Sequence, residues 1–163
     1  MKLGIKWNLA CAGIVLLASL VTAAQPSGDN SGVLGDWQDP TGSVIHIGHC
    51  GAQVCLWLVA LSPSAPATRD IHNPDPALHN RALCGLKIGA GFTLRDAGHA
   101  SGGSLYDPKT GKTYHGSMTV AGTGAGAKLD LRGYVGISLF GESQTWTRPG
   151  APSKPCADAP PGK

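Results

Sequence analysis

Between Val33 and Arg148 the sequence is cut every few residues by Gly, Pro, Asn or Asp, and this punctuation constrains the fold more than any other feature. No window of about 10–12 residues repeats apolar side chains at i, i+3 and i+4, so a long amphipathic helix is not supported. Short strand-like runs appear instead: Val33–Gln38, Ser43–His49, Val54–Leu61, Gly85–Leu94, Gly102–Tyr106, Thr113–Val120, Lys128–Val135 and Ser143–Arg148. Evenly spaced short strands with turn signals between them predict an all-β sandwich or barrel. The run from Lys128 to Gly133 alternates most cleanly, its leucines toward one face and its charges toward the other. An antiparallel strand with one wet and one buried face reads this way. The 24 glycines suit strongly bent strands, because Gly marks tight corners in barrels.

Two hairpins are legible. From Tyr106 to Tyr114, Asp107 and Pro108 open a turn and Gly111 supplies a residue tolerant of positive φ. The two tyrosines are then expected to face each other across the ladder. A second hairpin runs from Ser117 to Leu131 and turns through Gly122–Gly126. The link from Leu61 to Cys84 is irregular, and Pro74 and Pro76 exclude a strand interior there. Asp75 is placed to cap one helical turn over Pro76–Asn80. Asn73, Asp75 and Arg81 are the loop candidates for binding, against the plainer reading of a polar connection that satisfies its own backbone.

The N-terminus has the layout of a secretory signal peptide: Lys2 and Lys6, an apolar stretch from Leu9 to Val21, and small residues at Ala23/Ala24 for cleavage. The apolar stretch falls short of the roughly 20 residues that span a bilayer. Cys11 lies at the start of that stretch rather than after it, the wrong order for a lipidation site. The chain thus divides into a signal peptide (1–24), a flexible segment (25–32), a barrel domain (33–149) and a disordered Pro/Ala/Gly-rich tail (150–163), with a periplasmic or secreted location. The 13 Lys and Arg against 10 Asp and Glu become 11 against 10 once Lys2 and Lys6 leave. No basic cluster remains to follow a phosphate backbone, so nucleic acid is not an expected partner.

Of five cysteines, Cys11 goes with the signal, leaving Cys50, Cys55, Cys84 and Cys156. In an oxidising compartment these predict two disulfides, with three connectivities open. A hairpin at Cys50-Gly-Ala-Gln-Val-Cys55 favours Cys50–Cys55, which leaves Cys84–Cys156 by elimination. A zinc site is the rival, but the spacing is wide and His49 is the only extra ligand nearby.

Several motifs occur in a telling order: Gly35-Asp36-Trp37-Gln38-Asp39-Pro40, Cys50…Cys55, Asn73-Pro74-Asp75-Pro76, Asn80-Arg81-Ala82-Leu83-Cys84-Gly85, Gly102–Pro108, Gly133–Gly136 and Gln144–Arg148. Together they resemble the bacterial domain-of-unknown-function 2147 family, secreted proteins of uncharacterised activity, over about residues 33–149. The resemblance implies a lipocalin-like or fatty-acid-binding-protein-like up-and-down barrel of about eight or more strands. It also implies that Gly35-x-Trp37 packs beneath Arg148 of the last strand and closes the barrel base, a structural role that a cation over an indole favours.

Chemistry is thinly signalled. No Gly-x-Ser-x-Gly elbow, His-Glu-x-x-His or phosphate loop is present, and the single glutamate, Glu142, sits in a turn. The six histidines are scattered without metal-ligand spacing, so neither metal nor cofactor is expected. The leading expectation is a binding module that holds a small, mostly apolar ligand inside a barrel. Alternation nominates Trp57, Tyr114, Met118 and Leu131 as cavity residues. The alternative is a filled barrel acting as an envelope or protein-interaction factor, recognisable by an exposed apolar patch. A metal-dependent enzyme ranks third.

Overall fold

A computed structural model of the chain describes residues 32–157. The signal peptide expected over 1–24, residues 25–31 and residues 158–163 lie outside the described residues. Nine strands are present: β1 (Gly35–Gln38), β2 (Val44–Cys50), β3 (Gln53–Leu61), β4 (Lys87–Asp96), β5 (His99–Asp107), β6 (Lys112–Ala121), β7 (Lys128–Tyr134), β8 (Glu142–Thr147) and β9 (Lys154–Pro155). The helical content of the described residues is three short 3₁₀ turns, Pro76–Leu78, Gly124–Gly126 and Ser138–Phe140. Each of the first eight strands pairs antiparallel with its neighbours in sequence, and β1 meets β8, so β1–β8 close into an up-and-down barrel. Closure removes the sheet edges that would otherwise invite pairing with other chains.

The alternation that marks the strands also sorts their side chains. In β7, Leu129 and Leu131 are buried while Lys128 and Asp130 are exposed. In β3, Leu56 and Leu58 turn into the barrel. A packed half of the interior forms around Trp37, Phe92, Met118 and Leu129, all essentially inaccessible to solvent. Glycines make room for its largest ring. Gly103 and Gly116 face each other across β5 and β6. A Cβ on Gly103 would come within 2.3 Å of the Phe92 ring, and one on Gly116 within 2.8 Å.

The seam between β1 and β8 has one ladder pair, Gln38↔Thr147. Arg148 extends it, donating to the carbonyls of Gly32, Leu34 and Asp36 while its guanidinium covers Trp37. Trp37 in turn donates its indole N–H to Val33 O at 2.8 Å.

Two expectations need correcting here. The Tyr106 and Tyr114 side chains are not opposite each other: Tyr106 pairs with Thr113 and Tyr114 with Leu105. The turn closes symmetrically on Asp107↔Lys112, where Asp107 accepts from Lys109 N and Thr110 Oγ1, and that fixes the register one step away from a tyrosine pair. The Pro/Ala/Gly-rich stretch after Pro149 is not a loose tail over its described part. Gln38 binds it through Gly150 N and Ala151 N, β9 pairs with Ala60 and Leu61 of β3, and Cys156 N donates to Val59 O. β4 leaves β3 at Trp57↔Lys87, so the end of β3 offers free backbone groups that a two-residue strand can satisfy without any apolar pattern.

Both disulfides form, Cys50–Cys55 across the β2–β3 hairpin and Cys84–Cys156 between the β3–β4 link and the residue that follows β9, with Cα–Cα distances of 5.8 and 5.3 Å.

Candidate functional site

The β1–β2 turn, the β3–β4 link, the β5–β6 turn and the β7–β8 link gather at one end of the barrel. Here a cavity of about 770 Å³ opens. Seven successive strands each contribute at least one wall residue, among them Ile45, Leu58, Ile88, Leu105, Tyr114, Leu131 and Trp146. The wall is therefore aliphatic and aromatic, as period-2 alternation requires of inward positions. Charged groups are confined to the mouth, with Asp39, Arg69, Asp107, Lys109 and Glu142 among them, while Gln144, which accepts from the Trp146 indole N–H, adds a polar group to the wall. Trp37, Phe92, Met118 and Leu129 fill the opposite half and give the cavity a floor.

The β3–β4 link crosses this mouth on a buried polar anchor. Asp70 is fully inaccessible, and its carboxylate accepts from Tyr106 Oη at 2.5 Å, Arg81 Nη2 at 2.5 Å and Asn73 Nδ2 at 2.9 Å. Burial acts to raise the Asp70 pKa, but the hydrogen bonds from Tyr106, Arg81 and Asn73 outweigh it and hold the carboxyl below its usual value. Burial, and then the adjacent Asp70 carboxylate, push the Tyr106 phenol up. The backbone closes around the same point through Asp70 N to Arg81 O and an Arg69↔Ala82 bridge. A link of this length without regular structure would otherwise be costly to order; Tyr106 ties it to β5.

The residues singled out from the sequence fall into separate places. Tyr114 and Leu131 line the cavity. Met118 lies in the packed half below it. Trp57 does not face the interior: Leu56 and Leu58 on either side point inward, so Trp57 points out, half-buried, with its ring 6.2 Å from that of His46. Asn73 and Arg81 hold Asp70, while Asp75 caps the Pro76–Leu78 turn by accepting from Ala77 N at 2.9 Å. These three loop residues shape the link and do not line the cavity. The wall residues missing from the sequence reading were Ile45, Leu58, Ile88, Leu105 and Trp146. Trp146 had a usable signal, since it lies two residues before Arg148 on the same strand face.

The histidines disperse. His46 pairs with Asp36 at 2.7 Å, His99 with Asp96 at 2.8 Å, His79 Nε2 donates to Asn73 O, and His115 packs on Tyr134. Among the described residues, no three His, Cys, Asp or Glu side chains converge as metal ligands.

The profile of a family described as uncharacterised proteins conserved in bacteria, DUF2147, matches residues 35–148. The chain belongs to this family. Its barrel is also similar to a solved structure described as protein HP1028 from Helicobacter pylori, of the lipocalin family. The TM-score is 0.63 at 20% sequence identity, covering 72% of this chain and 83% of that one. At that identity the likeness is one of fold, and the DUF2147 barrel is lipocalin-like in that sense. No match was found among curated proteins. Two disulfides fit an oxidising compartment, and no helix among the described residues is long and apolar enough to cross a membrane.

Proposed function

We propose that this DUF2147 protein is a periplasmic binding module that carries a small, mostly apolar ligand in the open half of its barrel. The observation that carries this reading is the cavity of about 770 Å³ walled by apolar and aromatic side chains from seven strands. Its size falls within the range of small-molecule sites, about 300–1,000 Å³. An apolar ligand entering it leaves water for a dry wall, at roughly 25 cal/mol per Å² of apolar surface removed. The polar mouth favours a ligand with one polar end, which would stay among Arg69, Lys109 and Glu142 while the remainder goes inward. Binding rather than catalysis is assigned because the charged side chains stand at the mouth, away from the mostly apolar wall. The signal-like N-terminus and the two disulfides support export to the periplasm.

The test is the mass of the protein isolated from its native compartment, recorded intact and again after denaturation. A mass excess that disappears on denaturing, together with uptake of the apolar dye N-phenyl-1-naphthylamine by the emptied protein, is expected. A bare-chain mass combined with no dye uptake overturns the reading.

A further inference from the structure

Trp146 is only 4% accessible, and its indole N–H donates to Gln144 Oε1 at 3.2 Å. An indole nitrogen can donate but not accept, so the amide oxygen of Gln144 must face Trp146 and the amide NH2 must face elsewhere. Glu142, Gln144 and Trp146 all line the cavity, while Thr145 turns outward and donates to the exposed Asp130. The Gln144 amide nitrogen is therefore a donor held inside the barrel, and no group among the described residues accepts from it. We propose that this donor recognises the carbonyl oxygen of an uncharged acyl compound, an ester or amide of a fatty acid, and that the cavity selects such a compound over the free acid. The inference rests on the carrier reading and names the class of cargo.

The two sides of the cavity differ. Ile45, Leu58, Ile88 and Leu105 of β2–β5 form an aliphatic wall for a hydrocarbon chain. The polar groups gather on β6–β8, where Tyr114, Gln144 and Glu142 surround Gly133. Gly133 pairs with Glu142 and Leu131 with Gln144, so Gln144 stands one inward position deeper than Glu142. With no side chain on Gly133 the wall is recessed there, and a Cβ on it would lie 3.6 Å from that of Tyr114. A ligand head thus has room beside Gln144.

Charge decides what that head can be. Gln144 is neutral, and the next inward group toward the mouth on its own strand is the Glu142 carboxylate. A second carboxylate placed at Gln144 would lose water beside a like charge, with no cation on the wall to offset it. The mouth does not reverse this, because Asp39, Asp107 and Glu142 outnumber Arg69 and Lys109 there. An acyl ester or amide meets neither cost. Its carbonyl accepts from Gln144, a hydroxyl or N–H of its head donates to Glu142, and its chain lies along the aliphatic wall.

The test is calorimetric titration of the emptied protein at about pH 8, where a fatty acid is ionised. The probes are 1-decanoylglycerol, N-decanoylethanolamine and decanoate. At least one of the two uncharged compounds should bind about tenfold or more tightly than decanoate, and the tighter of them tells ester from amide. Gln144→Glu still gives the Trp146 indole an acceptor but gives the ligand no donor. It should keep the wild-type melting temperature and lose about threefold to tenfold in affinity for the uncharged compounds. Glu142→Gln removes the like charge and should raise the affinity for decanoate. Decanoate bound as tightly as both uncharged compounds, or undiminished binding of these by Gln144→Glu, overturns the inference, while uptake of N-phenyl-1-naphthylamine keeps the carrier reading in place. If Gln144→Glu melts well below wild type, unchanged decanoate affinity in Glu142→Gln overturns the inference instead. A wild type that takes up neither the dye nor any of the three compounds overturns the carrier reading and this inference together.

Discussion

The guanidinium carbon of Arg148 lies 3.7 Å from the centre of the Trp37 ring. That contact, with the three carbonyls Arg148 binds in Gly32, Leu34 and Asp36, reinforces a seam that has one ladder pair. Replacing Arg148 by Met removes a partly buried cation–π contact and several charge-assisted hydrogen bonds, an expected loss of about 2–4 kcal/mol. Arg148→Lys keeps the charge but not the planar fork, and should recover less than half of that loss. Urea unfolding of both variants checks the order. Equal stability of all three proteins would show that the ladder pair alone holds the seam.

The Asp70 anchor makes a prediction with a definite sign. Its folded pKa lies below the ordinary value of 3.8, so its contribution is complete above that value and disappears as pH falls through the folded value. Unfolding measured between about pH 5 and about pH 2 should show wild type losing more stability than Asp70→Asn over the same interval. At neutral pH the Asn variant should be less stable by about 2–4 kcal/mol, since Arg81 loses its counter-charge and Tyr106 its strongest acceptor. Parallel pH profiles would mean that Asp70 does not titrate differently in the two states.

The disulfides should differ in weight. Cys50–Cys55 closes a sequence separation of 5 and Cys84–Cys156 one of 72. Loop-closure entropy assigns about 2 kcal/mol to the first and about 4 kcal/mol to the second. Thermal or urea unfolding of the two Cys→Ser double variants measures the pair, and a larger loss from the short loop would contradict this ordering.

Leu131→Trp places an indole ring in the cavity, where there is space, so it should leave stability within about 1 kcal/mol of wild type. It should abolish any mass excess carried by the native protein and most dye uptake. Retention of the same ligand would place that ligand elsewhere.

Gly103→Ala should be damaging for the opposite reason. Its Cβ would meet the Phe92 ring at 2.3 Å, and an overpacked core site of this kind costs about 1–3 kcal/mol. A stability equal to wild type would mean that the cavity floor yields easily.

The strands were legible because their polarity alternates, as in Lys128–Arg132, and because Gly, Pro and Asp mark the turns. The short disulfide was legible for the same reason, its cysteines bracketing a hairpin. Where alternation fails, so does the reading. Val54-Cys55-Leu56-Trp57-Leu58-Val59 carries no polar marker, so nothing in the sequence says which face Trp57 takes. The tyrosine register depended on which residues close a turn, a matter of one position. Asp70 and Tyr106 meet across 36 residues, and no local pattern announces such a pairing. The hollow itself depends on volume: Phe92 fills one half because Gly103 and Gly116 stand aside, while residues of similar character leave the other half open.

β9 bears on how the molecule is assembled. Cys50 meets a partner five residues on, so that bridge can close as soon as its hairpin forms. Cys84 must wait for Cys156, 72 residues on, and until then it is a free thiol beside an uncapped strand end on β3. Residues synthesised well after Cys84 thus complete the oxidation of the β3–β4 link. A nascent chain released early would be left with a mispairing-prone cysteine and an edge open to its neighbours.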